Sequence, residues 1–272
     1  MPTTEPAREL SLLADTLPLT VDDRGRGTPY LLLHGGAGPR SMAGLAESLA
    51  QTGRAVLPTH PGFDGRPRPA WCDRVADLAL AYLALVERLG LDGVVVVGNS
   101  LGGWIGAEMA LRASPRVAGL VLLNAVGVAP TPATGAIVDP TTRAPAELLA
   151  LAFHDPARGA AAFAGADPAV AAANQAALRA YTGDAFMHDP TLHGRLSRLT
   201  LPTLVLWGAS DGVVSPAYGR HFADGIPEAR FALVAEAGHF PQIEQPEAVA
   251  AAMDGFLRDP RPVLPPGPVR PG

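Results

Sequence analysis

The sequence predicts an α/β fold with a largely parallel sheet and helices on both faces. Three observations predict it. Short apolar runs alternate with segments of helical periodicity over most of the chain, the pattern of parallel strands joined by crossover helices. One run, Val94-Val95-Val96-Val97, sets four β-branched residues in succession, as in a strand buried on both faces. Hydrophobic residues make up 48% of the 272, enough to fill a large core, yet no apolar run reaches the roughly 18 residues a membrane span needs.

Taken in order, Leu10 to Leu13 and Leu17 to Asp23 read as two short strands with a turn at Ala14-Asp15. Tyr30 to Leu33 is a buried strand, ended abruptly by His34-Gly35-Gly36-Ala37-Gly38-Pro39. Ser41 to Gln51 reads as an amphipathic helix and Arg54 to Leu57 as the next strand, followed by Pro58-Thr59-His60-Pro61-Gly62-Phe63. Apolar residues at 75, 78, 82, 85, 86 and 89 give Asp73 to Leu89 helical spacing, and Gly90 stops it. The valine strand follows, then a helix from Trp104 to Arg112 and a strand from Val117 to Leu123.

There the pattern changes. Pro130 to about Arg195 is rich in alanine and broken by Asp-Pro at 139–140, 155–156, 167–168 and 189–190. It reads as several short helices without strands, inserted between sheet elements as a cap over a pocket. Strand signals return at Thr203 to Trp207 and at Phe231 to Val234, with helices over Pro216 to Ala223 and Pro246 to Leu257. The expected organisation is a core of residues 1–129 and 196–258, a cap of residues 130–195, and a disordered proline-rich tail of residues 259–272.

Composition narrows the function classes. A net charge of −5 gives no basic footprint for nucleic acid. Met1 to Leu10 carries Glu5, Arg8 and Glu9 and lacks the basic-then-apolar order of a signal peptide, so the expectation is a cytoplasmic protein with no membrane partner. The single cysteine, Cys72, excludes an intramolecular disulfide and has no adjacent metal-ligand pattern. A small-molecule substrate and a monomer or homodimer are the expected partners.

The chemistry centres on Gly98-Asn99-Ser100-Leu101-Gly102, a G-x-S-x-G that follows a strand and opens a helix. That context makes it a nucleophile elbow, with Ser100 in a strained turn at the positive end of a helix dipole. Serine needs a base within reach. In a parallel sheet such groups lie at the carboxyl ends of strands, where Asp211 and His239 both fall. The order Ser100, Asp211, His239 assigns nucleophile, acid and base: His239 takes the Ser100 proton, and Asp211 fixes the imidazole tautomer. Asn124 also ends a strand, but an amide brings no negative charge to an imidazolium. The oxyanion donors are the N–H groups of Leu101, at the helix start, and of Gly36, in the loop after the Tyr30 strand. His34 and His60 read as organisers of their loops.

These motifs resemble the α/β-hydrolase superfamily. His34-Gly35-Gly36, Pro61-Gly62-Phe63, Gly98 to Gly103, Gly208-Ala209-Ser210-Asp211 and Gly238-His239-Phe240-Pro241 match in order and spacing over about residues 10 to 258. The resemblance implies a mostly parallel eight-stranded sheet with a helical cap after the sixth strand, and no cofactor. Serine at position 100 argues against the epoxide hydrolases and haloalkane dehalogenases, which use aspartate. Asn99-Ser100 with Gly102-Gly103 looks like the carbon–carbon bond hydrolases of ring-cleavage products. Those usually carry tryptophan after the histidine, where Phe240 stands here, and a cap arginine, for which Arg143, Arg158, Arg179 and Arg195 are candidates. Esterases, lactonases and thioesterases fit equally well. Acyltransferases and ligand-binding receptors on the same scaffold also remain open. Trp104, Phe153, Phe163 and Phe240 are candidate pocket walls.

Overall fold

A computed structural model of the chain describes residues 7–183 and 185–259. β1 (Arg8–Leu12) and β2 (Leu17–Gly25) form an antiparallel hairpin whose turn residues Leu13, Ala14 and Asp15 all have positive φ. Then come β3 (Pro29–Leu33), α1 (Arg40–Leu49), β4 (Arg54–Pro58), α2 (Val75–Arg88), β5 (Val94–Asn99), α3 (Leu101–Leu111), β6 (Val117–Leu123) and the short β7 (Gly127–Val128). The inserted segment carries α4 (Pro145–Ala152), α5 (Pro156–Ala162), α6 (Pro168–Thr182), β8 (His188–Asp189) and α7 (Leu192–Leu196). β9 (Thr203–Gly208), α8 (Pro216–Asp224), β10 (Arg230–Val234), α9 (Pro241–Glu244) and α10 (Pro246–Arg258) complete the chain.

The main sheet has eight strands in the order β1-β2-β4-β3-β5-β6-β9-β10. β2 runs antiparallel to both neighbours, and every pairing from β4 to β10 is parallel. The valine strand shows why both faces are apolar. Val94 and Val96 belong to one apolar cluster with Leu78 and Tyr82 of α2, Ile105 of α3 and Phe222 of α8. Val95 and Val97 pack with Met42 and Leu45 of α1 and Val249, Met253 and Phe256 of α10. Successive side chains point to opposite faces, so the four valines, covered on both sides, are all apolar.

Two of the four Asp-Pro breaks are α-helix starts. Asp155 caps α5 through the Ala157 N–H (2.9 Å), and Asp167 caps α6 through the Ala169 N–H (2.8 Å), with proline at the first helical position of each. Two elements depart from expectation. The inserted segment is not free of strands, because β8 pairs in parallel with β7 over two residues. That ladder joins backbone groups where the segment leaves and rejoins the core, beside buried Val128, and is too short to show periodicity. α9 is likewise too short to show one. Among the described residues no helix is long and apolar enough to cross a membrane. Beyond Asp259 the expected tail lies outside the described residues.

Candidate active site

Ser100 occupies the junction of β5 and α3 with φ +54° and ψ −117°, a conformation L-residues rarely adopt. The junction is held by backbone: Ser100 N–H donates to Leu123 O (3.0 Å), and Ser100 O accepts from Gly103 N–H (3.0 Å) and Val126 N–H (3.2 Å). The flanking glycines are required by close approach. A Cβ on Gly98 would collide with the Gly102 carbonyl, and one on Gly102 with the Leu33 carbonyl. The loop after β3 presses on the same point, since a Cβ on Gly35 would lie 2.8 Å from Ser100 Cβ. Leu101, the first residue of α3, belongs to the turn whose N–H groups have no partner within the helix. Gly36 lies one residue beyond Gly35, under Leu178 of α6.

Asp211 and His239 meet at the ends of neighbouring strands β9 and β10. His239 Nδ1 donates to Asp211 Oδ2 at 2.8 Å, and the Asp211 side chain is fully buried. Three further donors surround that carboxylate: Val213 N–H (2.8 Å) and Val214 N–H (3.1 Å) on Oδ1, and Asn124 Nδ2 (2.7 Å) on Oδ2. Both oxygens are thereby satisfied, as a buried acid requires. With Nδ1 committed, Nε2 is the nitrogen left for proton transfer. Asn99, beside Ser100, donates from Nδ2 to the His239 carbonyl (3.0 Å), which ties the serine turn to the histidine loop. Among the described residues no hydrogen bond joins the Ser100 hydroxyl to the imidazole. Asn124, which the sequence sets aside as a source of negative charge, is a donor to the Asp211 carboxylate.

His34 and His60 are buried and stacked, with ring centroids 3.6 Å apart. His60 N–H donates to His34 Nε2 (3.0 Å), so Nδ1 carries the His34 proton and donates to Gly35 O (2.8 Å). His60 Nε2 donates to His34 O (2.8 Å), and its Nδ1 accepts from the Tyr82 hydroxyl. Burial pushes His34 down to about 4 and His60 well below its ordinary value, while Tyr82 is driven upward and keeps its proton. Two neutral imidazoles thus organise the loops after β3 and β4.

The aromatic residues divide. Trp104 lies against Gly127 in the large core cluster that also holds Leu192. Phe153, Phe163 and Phe240 form one cluster, Phe153 stacking on Phe240 at 5.1 Å and Phe240 meeting the His239 ring edge-on at 5.3 Å. Ala37, Val213 and Ile243 join it, so loops from three strand ends share one apolar patch with the insertion. Each candidate arginine is engaged. Arg143 donates to Glu147, Arg179 to Asp139, Arg195 to Glu108 and Asp189, and Arg158 to the Glu244 carbonyl. Among the described residues no cluster of three His, Cys, Asp or Glu side chains could hold a metal ion.

Residues 30–252 match the family model described as Alpha/beta hydrolase family. The chain belongs to the α/β-hydrolase family. This hydrolase is 28% identical over 277 residues to 2-hydroxymuconate semialdehyde hydrolase of Pseudomonas putida, covering 91% of the chain and 93% of the relative. It is 30% identical over 257 residues to the pimeloyl-[acyl-carrier protein] methyl ester esterase of Aromatoleum aromaticum, covering 84% and 97%. Among solved structures it resembles a variant of the meta-cleavage product hydrolase CumD from Pseudomonas fluorescens (TM-score 0.77, 21% identity, 93% and 98% covered). It also resembles a thermophilic esterase from Thermogutta terrifontis (TM-score 0.67, 25% identity, 94% and 100% covered). The hydrolase therefore has one relative named as a semialdehyde hydrolase and one named as a methyl ester esterase.

Proposed function

We propose that this hydrolase is a cofactor-independent serine enzyme that cleaves small, largely apolar esters, thioesters or lactones through an acyl-enzyme. The observation that carries the reading is the buried Asp211–His239 hydrogen bond, formed at the strand ends beside the strained Ser100 turn. Ser100 attacks the carbonyl while His239 Nε2 takes its proton; the imidazolium then protonates the leaving group, and water repeats the cycle on the acyl-enzyme. Leu101 and Gly36 N–H groups stabilise the oxyanion. Residues 130–195 act as the cap, with Phe153, Phe163 and Phe240 as the apolar wall.

Carbon–carbon cleavage is the second reading, favoured by the 2-hydroxymuconate semialdehyde hydrolase relative. At each candidate arginine a substrate carboxylate would share the guanidinium with an acceptor already bound there. One experiment tests both. A fluorophosphonate probe is expected to label Ser100, and Ser100→Ala to abolish turnover of an activated short-chain ester. A vinylogous 1,5-diketone turned over faster than the ester reverses the order of the readings, and a folded protein that resists labelling removes both.

A further inference from the structure

The insertion and the proposed catalytic base share a buried carboxylate that the mechanism above does not use. Glu244, at the end of α9, is only 1% exposed. Its Oε2 accepts from the Gly238 N–H (2.6 Å), the residue before His239, and from the His154 N–H (3.2 Å). Its Oε1 accepts from the Asp155 N–H (2.9 Å). His154 and Asp155 form the turn between α4 and α5. One carboxylate therefore bridges two segments about 90 residues apart in sequence.

The bridge is reinforced on both sides. The last carbonyls of α4 accept from the residues that flank the proposed acid and carry the base: Leu151 O from Gly212 N–H (2.9 Å) and Ala152 O from His239 N–H (2.7 Å). His154 Nδ1 pairs with Ser210 Oγ (2.9 Å), beside Asp211, and Arg158 of α5 donates to the Glu244 carbonyl. A buried carboxylate is tolerated only while its acceptors are filled. Lifting α4 and α5 would leave Glu244 with one of its three donors and would free the His239 N–H.

We propose that Glu244 is a positioning residue for His239, locking the loop that carries the base to the α4–α5 turn, so that the base is in place only when this part of the insertion is down. The inference rests on the role given to His239, and labelling of the wild-type protein at Ser100 tests that role separately. Glu244→Gln keeps the shape but turns an amide N–H toward N–H donors. In the folded variant we expect kcat for ester turnover and the fluorophosphonate labelling rate to fall together by about 10- to 100-fold, as misplacement of a reacting group does. We also expect faster amide exchange at His154 and Asp155 together with Gly238 and His239, while α6 exchanges as before. The exchange measurement reads the coupling without any turnover. Labelling at the wild-type rate, or faster exchange on one side of the bridge alone, overturns the proposal. If Glu244→Gln does not fold, Glu244→Asp keeps the charge but is one methylene too short to hold donors on both sides, and wild-type labelling and exchange in that folded variant overturn the proposal equally.

Discussion

Asn124 is the residue whose role is most changed by its surroundings. At the end of β6 it stands in a left-handed conformation, φ +46°, which asparagine tolerates better than most residues. From there Nδ2 reaches Asp211, and Oδ1 accepts from the Gly208 N–H (3.2 Å). Sequence shows an amide at a strand end, but the carboxylate it holds lies 87 residues away. Asn124→Ala removes one of four donors to the carboxylate and strands the Gly208 N–H. We expect a loss of about 2 kcal/mol in stability, within the range for an unsatisfied buried group, and about tenfold in kcat/KM. Chemical denaturation and ester kinetics check this. A variant within twofold of wild type in kcat/KM would show that the other three donors suffice to hold the acid.

At the scale of the element, the strand–turn–helix around Ser100 was the most legible part of the chain, because it is built from local requirements. Four valines announce a two-sided strand, and glycines mark where backbones touch. The insertion was legible only as a count of helix starts. Asp-Pro pairs show where α5 and α6 begin, but nothing in the sequence says that α4 ends on the His239 N–H or that Glu244 closes the gap. Those contacts involve backbone amides and distant segments, which leave no periodicity behind. The elbow gives the element's prediction. Gly102→Ala drives a Cβ into the Leu33 carbonyl, part of β3 and unable to rotate away. We expect about 3 kcal/mol of destabilisation, the upper end for overpacking, and a Tm lower by about 8 °C. A melt within 2 °C of wild type, on the scale of ordinary surface changes, would mean that helix and strand can separate there.

Across the whole molecule, the sheet brings residues 34, 60, 100, 124, 211 and 239 to one edge, and the two buried histidines make that edge sensitive to acid. Both are held neutral by burial, and each uses a bare ring nitrogen as an acceptor, which protonation would destroy. The sign follows from linkage. Above about pH 6.5 the folded and unfolded chains are both neutral at these positions. As pH falls below 6.5 the unfolded chain binds protons that the folded chain refuses, so stability declines until His34 itself titrates at about 4. For His34 alone that descent is worth about 3 kcal/mol, and His60 adds in the same direction. We expect the urea midpoint to fall steadily between pH 6.5 and 4.5, and the slope to lessen by about one proton in His34→Gln. Ring-nitrogen NMR at pH 5 should still show His34 protonated on Nδ1 only. A charged imidazole there, or an unchanged slope in His34→Gln, would mean that these loops are organised by something other than a neutral histidine pair.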